Sequence, residues 1–77
     1  MDLKVYPQKA DQFITIETGI SEPSLFKMFD IIGSLVLIKE VSDKEQLSVE
    51  MLKAGIYFYK LIADGKLQVG KLWLNGA

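Results

Sequence analysis

"SDKEQLSVEMLKAG", residues 42–55, is the stretch on which the fold class turns. Ser42 and Glu45 have the spacing of a capping box, in which a side chain at each position satisfies a free backbone N–H at a helix start. Leu47 and Met51 lie four apart, on one face of a helical turn. Gly55 suits the position just past a helix end, where a left-handed backbone is needed. Propensity alone therefore predicts a helix over 43–54. The short alternation of Leu47 and Val49 supports a strand over 46–50 instead. The two readings stand side by side at this level.

Working outward, turn markers recur at short, even intervals: Pro7, Gly19 to Pro23, "DIIG" at 30–33, "SDKE" at 42–45, "KAG" at 53–55 and "DG" at 64–65. Strand-length apolar segments fill the gaps, the spacing of an all-β sandwich or barrel. Strands are expected near 3–7, 12–18, 24–30, 34–40, 46–50, 56–63 and 66–74. In "QFITIET" Phe13, Thr15 and Glu17 share one face and Gln12, Ile14 and Ile16 the other. In "KLQVGKLWL" Leu67, Val69 and Trp73 share a face. "SLFKMFD" and "SLVLIKE" are apolar on both faces, as in strands covered twice or lying near an oligomer contact. Asp64-Gly65 has the chemistry of a two-residue hairpin turn. Asp30 and Gly33 take the first and fourth places of a type I turn.

Composition narrows the function classes. The chain has 77 residues, enough for one domain. A chain of that size buries only about 60% of the surface its unfolded form exposes, so its core must be fully used. Apolar residues make up 49% of it, which argues against disorder. All nine basic residues are lysine, and the net charge is −1. Without arginine forks or a basic excess, nucleic acid is not an expected partner. Cysteine and histidine are both absent. Disulfides, Cys/His nucleophiles, histidine bases and ordinary zinc sites are thereby excluded. "MDLKVYPQKA" has no apolar stretch of the kind a secretion leader carries. The longest uncharged apolar run, Ile31 to Ile38, falls far short of the ~20 residues that span a bilayer.

Candidate chemistry is thin. Asp43, Glu45 and Glu50, with Asp11 or Asp30 brought near by folding, could form a carboxylate pair, but a solvated charged face fits their lysine-rich setting better. No phosphate-loop, dinucleotide or calcium-loop motif occurs, so neither catalytic nor metal residues nor a cofactor are assigned. Tyr57, Phe58 and Tyr59 could stack on a sugar or base. Strand alternation divides them, however, and places at least one face in the core. Trp73 reads as packing against the last hairpin, since a small core uses its large aromatics. The last strand is expected at a sheet edge, where Lys66 and Lys71 discourage accidental pairing yet leave room for a partner strand.

The order of segments resembles a known family, the C-terminal sorting domain of type IX (Por) secretion cargo. Val5-Tyr6-Pro7 and Ala10 match its opening block, and Asp30, Gly33 and Val36 its second. Leu47, Val49, Leu52, Gly55, Ile56, Tyr57 and Phe58 match the third block, and Lys71-Leu72 resembles the last. Gln8-Lys9 stands where the family has Asn-Pro, and the tail "LWLNGA" lacks a terminal lysine. The resemblance implies an all-β, seven-stranded, antiparallel Ig-like sandwich, and selects the strand at 46–50 over an α+β fold with a helix near 43–54. It implies that residues 1–77 form one sorting domain at the C-terminal end of a larger exported protein. Tyr6, Pro7, Asp30, Gly33, Leu52, Gly55, Tyr57, Asp64 and Gly65 then take structural roles.

The implied function is non-catalytic: an address read by the outer-membrane translocon, followed in many family members by cleavage by a sortase-like protease. The partners are that translocon, the protease and an N-terminal cargo domain of the same chain. The route runs through the periplasm to the cell surface or medium. Recognition is expected on the last hairpin, at Lys66, Leu67, Val69, Lys71, Leu72, Trp73 and Leu74, by edge pairing or a shaped patch. Competing expectations are an Ig-like accessory module that binds glycan or protein or spaces domains, and a domain that self-associates weakly through edge strands. The corner Tyr57 after "LKAG" also resembles the tyrosine corner of general β-sandwiches.

Overall fold

A computed structural model describes residues 3–75. The last two residues of the "LWLNGA" tail lie outside that range. The described chain is all strand, turn and loop. Its elements are β1 (Lys4–Tyr6), β2 (Lys9–Ala10), β3 (Phe13–Glu17), β4 (Ser24–Phe29), β5 (Leu35–Val41), β6 (Lys44–Ser48), β7 (Gly55–Ala63) and β8 (Lys66–Leu74). They form a three-stranded sheet, β1-β3-β6, and a five-stranded sheet, β2-β8-β7-β4-β5. Residues from both sheets share one core: Ile14, Ile16 and Leu47 from the smaller, Phe26, Met28, Tyr57, Leu61 and Leu72 from the larger.

This is an Ig-like sandwich. The sheet pairing β8-β7-β4 is that of strands G, F and C, with β5 beside C. Tyr57 at the start of β7 donates its hydroxyl to Lys53 O at 2.7 Å, the bond of a tyrosine corner. Two details differ from the expectation. The described residues form eight strands rather than seven, and β2 runs parallel to β8, so the sandwich is not wholly antiparallel. The first edge segment splits after Pro7: β1 joins the small sheet and β2 crosses to the large one. β2 spans only two residues and carries no alternation by which a sequence could announce it.

The helix at 43–54 does not form, and the reason is non-local. Asp43 O accepts from Thr18 N at 2.7 Å and Gly19 N at 3.2 Å, while Asp43 N donates to Ile20 O at 2.7 Å. These bonds to the loop after β3 hold Asp43 at φ 50°, outside helical space. Half of the capping box survives all the same: Glu45 Oε2 accepts from Ser42 N at 2.6 Å. β6 then pairs with β3, Leu47 opposite Ile14, and a turn closed by Leu52 N donating to Val49 O (3.0 Å) leads to β7.

Both expected hairpin turns are present. Asp64 and Gly65 have φ of 50° and 74°, the positive values of a type I′ turn. Gly33 N donates to Asp30 O at 3.0 Å across the β4–β5 turn. Leu52 packs against the core, and Gly55, at φ 149°, takes the corner before Tyr57. Tyr6 ends β1 and donates its hydroxyl to Glu17 Oε2 at 2.9 Å; Pro7 follows through a cis peptide bond. That hydrogen bond to Glu17, more than burial or charge, pushes the Tyr6 phenol above its ordinary value.

Candidate recognition surface

Strand alternation divides the β7–β8 hairpin cleanly. Tyr57, Tyr59, Leu61 and Ala63 of β7, and Leu72 and Leu74 of β8, are buried. Ile56, Phe58, Lys60 and Ile62 alternate with the first set, and Leu67, Val69, Lys71 and Trp73 with the second, on the outer face of the five-stranded sheet. Register places them in rows: Ile62 opposite Leu67, Lys60 opposite Val69, Phe58 opposite Lys71, and Ile56 opposite Trp73. β4 extends the rows on the other side, with Leu25 opposite Ile62, Lys27 opposite Lys60, and Phe29 opposite Phe58.

The composition of this face is unusual for an uncovered sheet. Exposed strand faces are normally polar. Here Leu35, Ile38, Ile56, Phe58, Ile62, Leu67, Val69 and Trp73 are all exposed. Large exposed apolar patches are where interaction sites are commonly found, which makes this face the candidate one. Lysine is the charge placed among them. Lys27 and Lys60 sit directly across from one another, an arrangement that is mildly destabilising in isolation. Lys60 Nζ lies 5.6 Å from the Phe29 ring centroid, and Lys71 Nζ lies 5.9 Å from that of Phe58. Both ammonium groups are thus held over aromatic faces by cation–π attraction. The carboxylate that register places on this face is Glu40, at a corner opposite Leu25.

The residues expected to be recognised divide in the same way. Lys66, Leu67, Val69, Lys71 and Trp73 are exposed, whereas Leu72 (0% exposed) and Leu74 (3%) belong to the core. Trp73 does not pack inward as anticipated. It is 37% exposed, because its parity in β8 is that of Leu67 and Val69, and the inward row passes through Gln68, Gly70, Leu72 and Leu74. Tyr57 and Tyr59 are buried and cannot stack on a sugar; Phe58 faces outward. The two-sided apolarity of β4 reflects this open face rather than a second covering layer.

β8 is not the outermost strand over its whole length. β2 covers its final positions: Trp73 N donates to Gln8 O at 2.7 Å and Asn75 N to Ala10 O at 2.9 Å. Asn75 Nδ2 also donates to Asp11 Oδ1 at 2.7 Å. Backbone groups alternate along a strand, so the N–H and C=O groups of Leu67, Val69 and Lys71 point to the same side, where β2 does not reach. That is an open edge for strand addition beside the apolar–basic face.

Sequence reasoning missed Lys27, Phe29 and Lys60 as surface residues, and the exposure of Ile31 and Ile32 in the expected turn, although it weighed Phe58 as a stacking residue. The signal was present in the apolar residues on both sides of "SLFKMFD". Three of the five carboxylates weighed for acid–base work are engaged in structural bonds: Asp30 and Glu45 accept from backbone N–H groups, and Asp11 accepts from Asn75.

The described residues form a small cysteine-free Ig-like sandwich whose larger sheet has an outer face of apolar residues and lysines. The secretion system C-terminal sorting domain family matches residues 4–75, and the chain belongs to that family, the C-terminal sorting signals of type IX secretion. No curated protein sequence matches the chain. Among solved structures, it is similar to the sulfur carrier protein SoxY from Chlorobium limicola f thiosulfatophilum. That chain is 20% identical with a TM-score of 0.45, and the match covers 96% of this chain and 77% of that one.

Proposed function

We propose that the outer-membrane translocon of type IX secretion reads this domain in its folded form, through the outer face and open edge of the β7–β8 hairpin. The observation that carries the reading is the outward row Leu67, Val69, Lys71 and Trp73 beside an edge that β2 leaves uncovered up to Trp73. Lys66, Leu67, Val69, Lys71 and Trp73 make the contacts, and Leu72 and Leu74 hold the strand to the core. Residues 1–77 act as one domain behind an N-terminal cargo domain of the same chain. The route leads through the periplasm to the surface or medium, where a sortase-like protease separates signal from cargo.

Fusing residues 1–77 behind an exported reporter in a type IX-competent bacterium tests this. The reporter is expected at the surface or in the medium. Lys71→Glu with Trp73→Ala is expected to hold it in the periplasm while the domain stays folded, because both side chains face solvent. A folded wild-type fusion retained in the periplasm would overturn the sorting role.

A further inference from the structure

The turn between β4 and β5 inverts the usual chemistry of turns. Its two central residues are isoleucines, Ile31 71% exposed and Ile32 83% exposed. Turn tips are ordinarily glycine, asparagine, aspartate or proline. This one is held firmly from within. Asp30 Oδ1 accepts from Ile32 N at 3.1 Å and from Ser34 N at 2.8 Å. Asp30 N donates to Ser34 O at 2.9 Å, Gly33 N donates to Asp30 O at 3.0 Å, and Gly33 takes the left-handed φ of 91°. The isoleucines are therefore presented on an ordered prong, so little backbone freedom remains to be lost on binding.

The prong stands beside a hollow of about 440 Å³ whose apolar walls are Phe29, Ile31, Ile32 and Phe58, with Lys60 at its rim. A second hollow of about 290 Å³ shares the Phe29 and Phe58 walls and opens toward Val69 and Lys71. Each hollow thus has an aromatic wall and a lysine stacked on it. The cross-strand neighbours of Lys60 are Lys27 and Val69, and that of Lys71 is Phe58, so the ladder supplies neither with a carboxylate. Asp30 also lines the larger hollow, but its Oδ1 is engaged by the turn.

We propose that this end of the sheet docks an acidic, apolar-rich peptide segment of a protein partner. One large apolar side chain of the segment enters the hollow under Ile31 and Ile32, and a second enters the hollow beside Val69. Its carboxylates lie on Lys60 and Lys71. The inference rests on the reading of this face as the recognised surface, and adds to it the β4–β5 prong and the charge of the partner. Charge complementarity selects an acidic partner. The two open hollows adjoin one another across Phe29, Phe58 and Lys60, and such a shaped, ordered surface favours side chains of a polypeptide over a fluid lipid surface.

The test is an amide chemical-shift titration of the 77-residue chain. The probe is the synthetic peptide acetyl-Asp-Phe-Asp-Leu-Asp-Phe-amide, and the control has asparagine in place of each aspartate. Saturable shifts are expected at Ile31, Ile32, Phe58, Lys60 and Lys71, with the control at least about tenfold weaker and binding that fades as salt rises. Lys60→Glu with Lys71→Glu is expected to abolish the shifts. So is Ile31→Ser with Ile32→Ser, whose side chains are exposed and leave the core untouched. Equal binding of the control, or shifts confined to the β8 edge or the small sheet, would overturn the proposal. So would the same residues responding instead to phosphatidylglycerol vesicles, or to the protein's own concentration. Failure here with the wild-type reporter fusion still exported removes this inference alone, whereas failure of export removes the sorting reading beneath it.

Discussion

Tyr59 lies over Gly70 on the neighbouring strand, so closely that a Cβ built on the glycine falls 2.6 Å from Tyr59 Cε2. The two residues are paired across the β7–β8 ladder, on its core side. The ring occupies the place a side chain would take, an aromatic covering a glycine that would otherwise weaken the strand. It is fixed there by Phe26, whose ring centroid is 5.8 Å away, and by Gln68 Nε2 donating to its hydroxyl at 3.3 Å.

Gly70→Ala therefore overpacks the core, at a cost of about 1–3 kcal/mol. Urea unfolding followed by Trp73 fluorescence measures it. In a Tyr59→Leu background the same substitution is expected to cost much less. Equal costs in the two backgrounds would show that the ring does not set the requirement for glycine.

Tyr57→Phe removes the hydroxyl that ties the corner and leaves the Lys53 carbonyl without that donor. The expected loss is about 0.5–1.5 kcal/mol, with the buried ring still in place. Faster amide exchange across 53–57 is the accompanying sign. An unchanged unfolding midpoint would mean that the 2.7 Å bond is replaced by water at no cost.

Asp43, at φ 50°, is where helix and strand diverge. Asp43→Val places a β-branched residue in left-handed space and is expected to cost about 1–2 kcal/mol. Asp43→Gly is expected to be neutral or stabilising. An isolated peptide of residues 42–55 should become helical in trifluoroethanol by circular dichroism, since its bonds to the loop after β3 are gone.

Tyr6 supplies a pH dependence. Its phenol ionises above the ordinary 10.0, chiefly because it donates to Glu17. A group whose folded pKa is raised stabilises the fold fully below its unfolded pKa and loses that contribution as pH rises through the folded value. The Tyr6–Glu17 tie is thus intact at neutral pH and disappears above pH 10. Absorbance titration of the wild type against Tyr6→Phe isolates this phenol, and Glu17→Gln is expected to bring its midpoint back toward 10.0.

Much of the fold was legible because local chemistry and final structure agree. Ile14 and Ile16 alternate inward as their spacing says, and Asp64-Gly65 and Asp30–Gly33 turn where their backbones demand it. The failures are all non-local. Nothing near Lys9 and Ala10 reveals that they pair with Trp73 and Leu74. The helix signals at 42–55 are real, and are overruled by hydrogen bonds from a loop more than twenty residues earlier in the chain. The site was legible in part. Parity placed Leu67, Val69 and Trp73 together, but parity does not say which face looks outward. The apolar residues of β4 and the β4–β5 turn resemble core until the sheet order shows that no other described strand lies over them.

The last strand is closed at its end by the first segments of the chain. Asn75 reaches Asp11 across 64 positions, and Gln8 and Ala10 receive the amides of Trp73 and Asn75. These bonds form only when both ends of the domain have come together. On the proposed reading of β8 as the recognised strand, its edge is thus completed by the same event that completes the fold. A receptor that reads this edge inspects the finished domain rather than a short string of residues, and a chain still unfolded presents it with nothing to read.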